Sequence, residues 1–404
     1  MIPSKIAAAL IITCLSSGFI NPAHAQTNQA AKPAFDIPEW KSADGSTILR
    51  LRMRAVHDFY SITTDFDGST RDTDIATDNL RALRIGIDGQ LSPKVRVRAD
   101  ANLVNSQVNW ADVYLGYVGD RVELYVGQSN LSSPLETVSR SFTGLLPERS
   151  LVNFALGQNL RSLGAVARVK GEDWQVVGGI FHGNINAGDV FGDDALRYAQ
   201  IRATHAPRNE ERDIIHYGIN LRIRDVQDGA LLRYATRPAA TNFGPRVLDS
   251  GAIASQDMVF GLEGGVVRGS LVVTAEHNML WADTPAGSIS LQGSYIEAGY
   301  FLTGETRRYR ASTGVLSQVR PMRSVQEGGL GAIALVARYD RLDQSDSRFG
   351  VHAGNVNALT LGVSWVPIEH VTFRVAASES RYTGALPAQN GVAHVIMSRA
   401  QLAF

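Results

Sequence analysis

After Gly45 the hydropathy of this chain alternates with a period of two almost everywhere, and no helical repeat competes with it. Between 48 and 60, Leu49, Leu51, Met53 and Ala55 alternate with Arg50, Arg52 and Arg54. Between 95 and 105, Val95, Val97, Ala99, Ala101 and Leu103 alternate with Arg96, Arg98, Asp100 and Asn102, and the same division recurs at 215–224 and 359–365. A strand sends successive side chains to opposite faces, so each segment has one apolar and one polar face. A sheet built from many such strands must cover its apolar face, and no layer of amphipathic helices is available to do so. Lipid is the simplest cover, and closing the sheet pairs its edge strands. The expected fold is therefore all-β, a transmembrane antiparallel up-and-down barrel. A soluble β-sandwich also alternates, but it does not explain Arg recurring at the centres of polar faces opposite an almost unbroken apolar face.

Turn signals punctuate the strands at 91–94, 118–121, 170–173, 267–270 and 366–370, and longer polar connections are expected at 61–78, 130–159, 183–196 and 343–354. Short and long connections on opposite rims are the pattern of a barrel with one periplasmic and one external face. Sixteen to eighteen strands can be counted and sixteen are expected, with 238–256 the region whose pattern is weakest. The barrel is assigned to 46–404, after a polar leader at 26–45. Residues 1–25 combine Lys5, an apolar stretch from Ile6 to Ile20 and the small-x-small ending Ala23-His24-Ala25, which predicts a cleaved signal peptide and export. Cys14, the one cysteine, falls inside that peptide, so the exported chain would carry no thiol and no disulfide. The last segment, VAHVIMSRAQLAF, ends an amphipathic strand on Phe404 and resembles the signal by which the barrel assembly machinery recognises outer-membrane barrels.

Charge totals balance at 39 basic against 39 acidic residues, yet only 5 of the basic residues are Lys. Residues two apart on a strand are spaced by roughly 6.5 Å, so Arg50, Arg52 and Arg54 form a file of guanidinium groups along one face. Arg84, Arg96, Arg98, Arg222, Arg224 and Arg233 fall on the polar faces of other segments. Facing a lumen, these groups would attract anions and grip phosphate or carboxylate through paired hydrogen bonds. The alternative is that they balance Asp58, Asp88, Asp100, Asp112 and Glu123 on the same faces. Arg81, one residue out of phase with Arg84, is expected on the apolar side near a rim or at a subunit contact. The connection Ser129 to Ser150 mixes Leu131, Leu135, Phe142, Leu145 and Leu146 with Ser132, Ser133, Glu136, Arg140 and Arg149. Such a mixture predicts a loop folded inward as a constriction, with an external cap or subunit contact as the other reading.

Nothing points to catalysis, a metal or a cofactor. The nine His form no His-Glu-x-x-His pair and there is no Gly-x-Ser-x-Gly elbow. His277 and His394 fall on apolar faces. A membrane hydrolase and an adhesion barrel remain as distant alternatives, and no feature suggests nucleic-acid binding.

The segments VGQSNLSSPLETV, PERS, YFLTGETRRYR at 300–310, ARYDRLD at 337–343, LGVSWVPIEHVTFRVAA at 361–377 and the final RAQLAF resemble the phosphate-selective porin O and P family of Gram-negative outer membranes. That resemblance implies a sixteen-stranded homotrimeric porin embedded in outer-membrane lipid. It implies a third external loop and a long periplasmic turn near 303–328 that enter the barrel, and an arginine ladder that passes phosphate or polyphosphate. The strand Arg set, Ser132, Ser133, Arg140 and Arg149 are the matching positions. Members with strong phosphate selectivity are rich in Lys at both mouths, which this chain is not, so a general or organic-anion porin is the second expectation.

Overall fold

The computed structural model describes residues 37–67, 73–104, 106–139, 142–157, 161–186, 196–227 and 229–404. The signal-peptide assignment and Arg140 lie outside them. Sixteen wall strands follow in order: β1 Ile48–Phe66, β2 Asp74–Ser92, β3 Val95–Val104, β4 Gln107–Val118, β5 Val122–Ser129, β6 Ser162–Lys170, β7 Trp174–His182 and β8 Leu196–Glu210, then β9 Asp213–Val226, β10 Gln256–Arg268, β11 Leu271–Thr284, β12 Gly287–Phe301, β13 Ala332–Gln344, β14 Gly354–Ile368, β15 Val371–Gly384 and β16 Gly391–Ala403. Each pairs antiparallel with its neighbours, and β1 pairs with β16 from Arg54↔Ala403 to Phe66↔Gly391, which closes the barrel. A short strand, Glu39–Lys41, continues beside the start of β1 below that closure.

The alternation predicts the two surfaces of the wall correctly. On the outside an apolar belt runs between two sets of exposed aromatics, Tyr117, Trp174, Tyr217, Tyr300, Trp365 and Phe373 near the tight-turn rim and Phe59, Trp110, Trp281 and Tyr339 towards the other. Aromatic girdles flanking an apolar band are what a bilayer selects. Leu361 is central in that belt, on β14, with its side chain half exposed outward. A cation facing lipid at mid-depth costs about 2–4 kcal/mol, so Leu361→Arg should sharply reduce the folded fraction seen by heat-modified gel mobility. Arg52→Ala, on the inner face, should leave that fraction within experimental scatter.

The tight-turn rim matches the expected turns, with 93–94, 119–121, 171–173, 269–270 and 369–370 joining strands, and adds one at 211–212 that was not expected. Three features differ from expectation. The first long connection is 67–73 rather than 61–78, because Ile62, Thr64 and Phe66 continue the inward face of β1. Two connections on the loop rim, 105–106 and 285–286, are as short as turns. The uncertain region 238–256 contributes no wall strand before Gln256; Asp249–Ala254 pairs instead with Leu232–Ala235 in a hairpin inside the β9–β10 connection.

Two inserted segments fill much of the lumen. The β5–β6 connection carries two short helices, α1 Leu135–Val138 and α2 Leu151–Ala155. Leu135, Leu145 and Leu146 pack on inward wall residues such as Val272, Ala334, Val336 and Val395, while Leu151, Val152 and Leu156 pack on Phe181, Val259, Leu280 and Leu342. From the tight-turn rim the β12–β13 connection, 302–331, turns back as a strap whose Leu316 and Val319 join the first of those clusters. These apolar contacts explain why inward positions of β10–β16 such as Val259, Val272, Leu280, Ala334, Val336 and Val395 are apolar among the buried charged residues of the same face.

Candidate functional site: an arginine-lined cavity in the barrel

Between the charged wall and the inserted segments lies a cavity of about 590 Å³. Arg52, Arg54, Arg81, Arg84, Arg98 and Arg399 reach it from the wall, Arg149 and Arg161 from the inserted loop and the edge of β6, and Arg308, Arg310 and Arg320 from the strap. Against these eleven guanidinium groups stand three lining carboxylate side chains, Asp100, Asp112 and Glu369. In a low-dielectric wall that imbalance concentrates positive potential inside the cavity.

The wall arginines divide by their partners. Arg98 is gripped by Asp100 at 2.6 Å and Asp112 at 2.9 Å, Arg52 lies 3.2 Å from Asp100, and Arg161 lies 2.9 Å from Asp112. Charge balance is thus part of what these residues do. Arg84 has no carboxylate within ion-pair distance among the described residues, and its Nε is buried without a hydrogen-bond partner. Arg84 faces Arg54 directly across the strands, and Arg54 lies over the Phe142 ring at 5.2 Å. Arg149 likewise makes no ion pair among the described residues, where its guanidinium has a long 3.4 Å bond to the Thr137 carbonyl. Burial lowers the Arg149 and Arg307 guanidinium groups to about 10, which leaves both charged at neutral pH.

Arg81 corrects the expectation that it faces outward. Register slips between Val56 and His57, which pair with Ala82 and Leu80, so Arg81 is the extra residue of a β-bulge. A bulge turns two consecutive side chains to one face. Arg81 therefore points inward, where its fork meets the Glu148 carboxylate at 2.5 and 2.9 Å. Glu148 belongs to the PERS turn of the inserted loop, and Arg399, which holds Asp58 at 2.6 and 2.7 Å, also lies 3.5 Å from it.

Other expected ladder members lie elsewhere. Arg50 sits below the barrel closure, paired with Glu39 and half exposed. Arg96 keeps to the inner phase of β3 but does not line the cavity. Arg222 donates to the carbonyls of Gly157 at 2.6 Å and Leu156 at 3.0 Å and so fastens the end of α2, while Arg224 is held by Asp257 on the wall, and neither lines the cavity. Arg233 is in the exposed hairpin, paired with Asp249, because the segment around it is a loop insertion and not a wall strand. Sequence reasoning missed Arg161, Arg308, Arg310, Arg320 and Arg399. The run Arg307-Arg308 with Arg310 was visible as part of YFLTGETRRYR, and the resemblance implied that the turn near 303–328 enters the barrel, but no local feature marked these arginines as lining the cavity.

Within the inserted loop, Ser132 and Ser133 are buried, with the Ser132 hydroxyl 3.5 Å from Gln200. Glu136 accepts from the Ser150 amide at 2.8 Å and from Asn153 at 2.6 Å, tying the two helices together. Wall groups complete the docking: Asp340 accepts the Leu151 amide at 3.0 Å, and Arg338 donates to the carbonyls of Glu148 and Arg149 at 2.8 and 3.0 Å. Of the two outward histidines, His277 meets Ser294 at 2.7 Å and His394 lies 3.8 Å from Glu379.

Comparisons with known proteins agree with this architecture. The chain is 30% identical over 323 residues to an uncharacterized protein of Caulobacter vibrioides, covering 77% of this chain and 64% of that one. It is 27% identical over 226 residues to porin O of Pseudomonas aeruginosa, covering 49% of this chain and 50% of that one. The chain thus spans less than two thirds of the length of the curated relatives it matches. Among solved structures, an anion-selective porin from Comamonas acidovorans shares the fold with a TM-score of 0.57 at 12% identity, over 88% of this chain and 99% of that one. The family model described as phosphate-selective porin O and P matches residues 50–404, all but the first two residues of the barrel wall, and this chain belongs to that family.

Proposed function

We propose that the chain is a passive, anion-selective channel of the outer membrane that takes up phosphate or polyphosphate. The observation that carries this reading is the excess of guanidinium over carboxylate groups around the cavity. Arg84, Arg149, Arg308 and Arg310 are lining groups whose charge is open to a passing anion, since none of them makes an ion pair among the described residues. A planar guanidinium fork suits phosphate and carboxylate oxygens alike. The expected signal peptide ending at Ala25, a homotrimeric assembly, and recognition of the last strand by the barrel assembly machinery complete the proposal, with lipid covering the outer belt.

A second reading, a general or organic-anion porin, is supported by the lining itself. It contains no Lys, and Met53, Val56, Ala82 and Phe142 add apolar surface beside the arginines. Reconstituted channels separate the two. Under a KCl gradient, chloride should be more permeant than potassium, and phosphate added at millimolar concentration should block chloride current more strongly than acetate or benzoate does. Stronger block by the organic anions would favour the second reading. Cation preference would refute both.

A further inference from the structure

The two segments that bring arginines into the lumen, the inserted loop and the strap, are held by the same buried wall residue. Glu263 of β10 is fully enclosed and does not line the cavity. It accepts the Leu135 amide at the start of α1 at 2.9 Å and the Arg202 guanidinium at 2.6 Å, and it contacts His216 Nε2 at 3.1 Å. Both wall partners then reach the strap. Arg202 donates to the Gly314 carbonyl at 2.8 Å and to the Thr313 carbonyl at 3.3 Å, and His216 Nδ1 meets the Tyr309 hydroxyl at 2.6 Å. Gly314 adopts a left-handed backbone at φ +57, and a Cβ there would come within 2.8 Å of Thr204 Oγ1 and 3.0 Å of the Arg202 fork. The loop and strap also touch each other, through the Leu316 amide and Ser139 Oγ at 3.1 Å.

We propose that Glu263 is a positioning residue for permeation: through Arg202 and His216 it sets where the arginines of the strap stand relative to those of the inserted loop. A carboxylate is suited to this, because one group satisfies a backbone amide and a bidentate guanidinium together. Truncating it would leave the Arg202 charge buried without its partner and loosen together the two attachments that run through Arg202 and His216, while Gln175, which donates to the Thr313 carbonyl at 2.9 Å, would still hold the strap. The proposal rests on the channel reading for its effect on selectivity, but the placement of the strap can be measured without it.

The test uses the full-length chain, expressed with its leader and reconstituted. Cys14 lies in the segment expected to be removed, so Arg310→Cys supplies a single reporter thiol on the strap. Glu263→Gln should raise the rate at which a charged thiosulfonate reagent modifies that reporter by several-fold. In the otherwise native chain it should lower the chloride-to-potassium permeability ratio about tenfold. If Glu263→Gln fails to fold, Glu263→Asp carries the same test, since the shorter side chain keeps the buried charge but withdraws from Arg202 and His216. Modification rates equal to the parent in whichever variant folds would overturn the proposal. A parent channel with no anion preference would instead refute the channel reading, and the modification rate would still decide the role of Glu263.

Discussion

Replacing Arg84 with Glu is expected to lower the chloride-to-potassium permeability ratio about tenfold without loss of folded protein. Reversal changes the local charge by two units, and at roughly 12 Å in a dielectric near that of water each unit is worth about 0.35 kcal/mol to either ion with opposite sign, so chloride and potassium are separated by about 1.4 kcal/mol, a factor of ten. The new carboxylate would also face Arg54 across the strands and neutralise it. Folding should be spared because Arg84 satisfies no acid among the described residues, so its removal strands no partner. Arg233→Glu is the matched control, since that residue lies in the exposed hairpin with Asp249. Reversal potentials in a KCl gradient measure both. A larger effect at Arg233 than at Arg84 would mean that selectivity resides at the outer surface and not in the cavity.

Asp58→Ala should be the most damaging single change to the barrel. Asp58 is 1% exposed and holds both nitrogens of the Arg399 fork, with the Tyr60 hydroxyl 2.8 Å away and Arg81 at 3.6 Å. Removing one partner of a buried ion pair typically costs about 3–5 kcal/mol, because the other charge is left in a low-dielectric site. Here the pair also joins β16 to β1 at the closure of the barrel and helps hold Glu148, so the loss should appear in two measurements. Urea unfolding in detergent should show a large drop in midpoint, and the surviving channels should show unsteady conductance as the PERS turn loosens. Asp58→Asn, which keeps an acceptor, should fall between the two. An unfolding midpoint unchanged in Asp58→Ala would show that water already screens this cluster.

The alternation of Leu49 to Ala55 with Arg50 to Arg54 was enough to predict a barrel, its two faces and most of its tight turns. Strand phase is a local property: side-chain direction repeats every two residues whatever the rest of the chain does. The apolar residues of the inserted loop were legible for the same reason, since Leu135, Leu145 and Leu146 have no use in water. The site was legible only in part, because a guanidinium's role depends on which carboxylate arrives beside it. Asp58 and Arg399 are 341 residues apart, and Arg202 and Glu263 meet across strands that nothing local associates. One extra residue in β2 turned Arg81 from the lipid side to the lumen, and one inserted hairpin took Arg233 out of the wall altogether. Backbone periodicity thus decided the architecture, whereas barrel closure, a bulge and two inward segments decided which arginines face open space, because electrostatic partnership is set by distance in the folded wall and not by spacing along the chain.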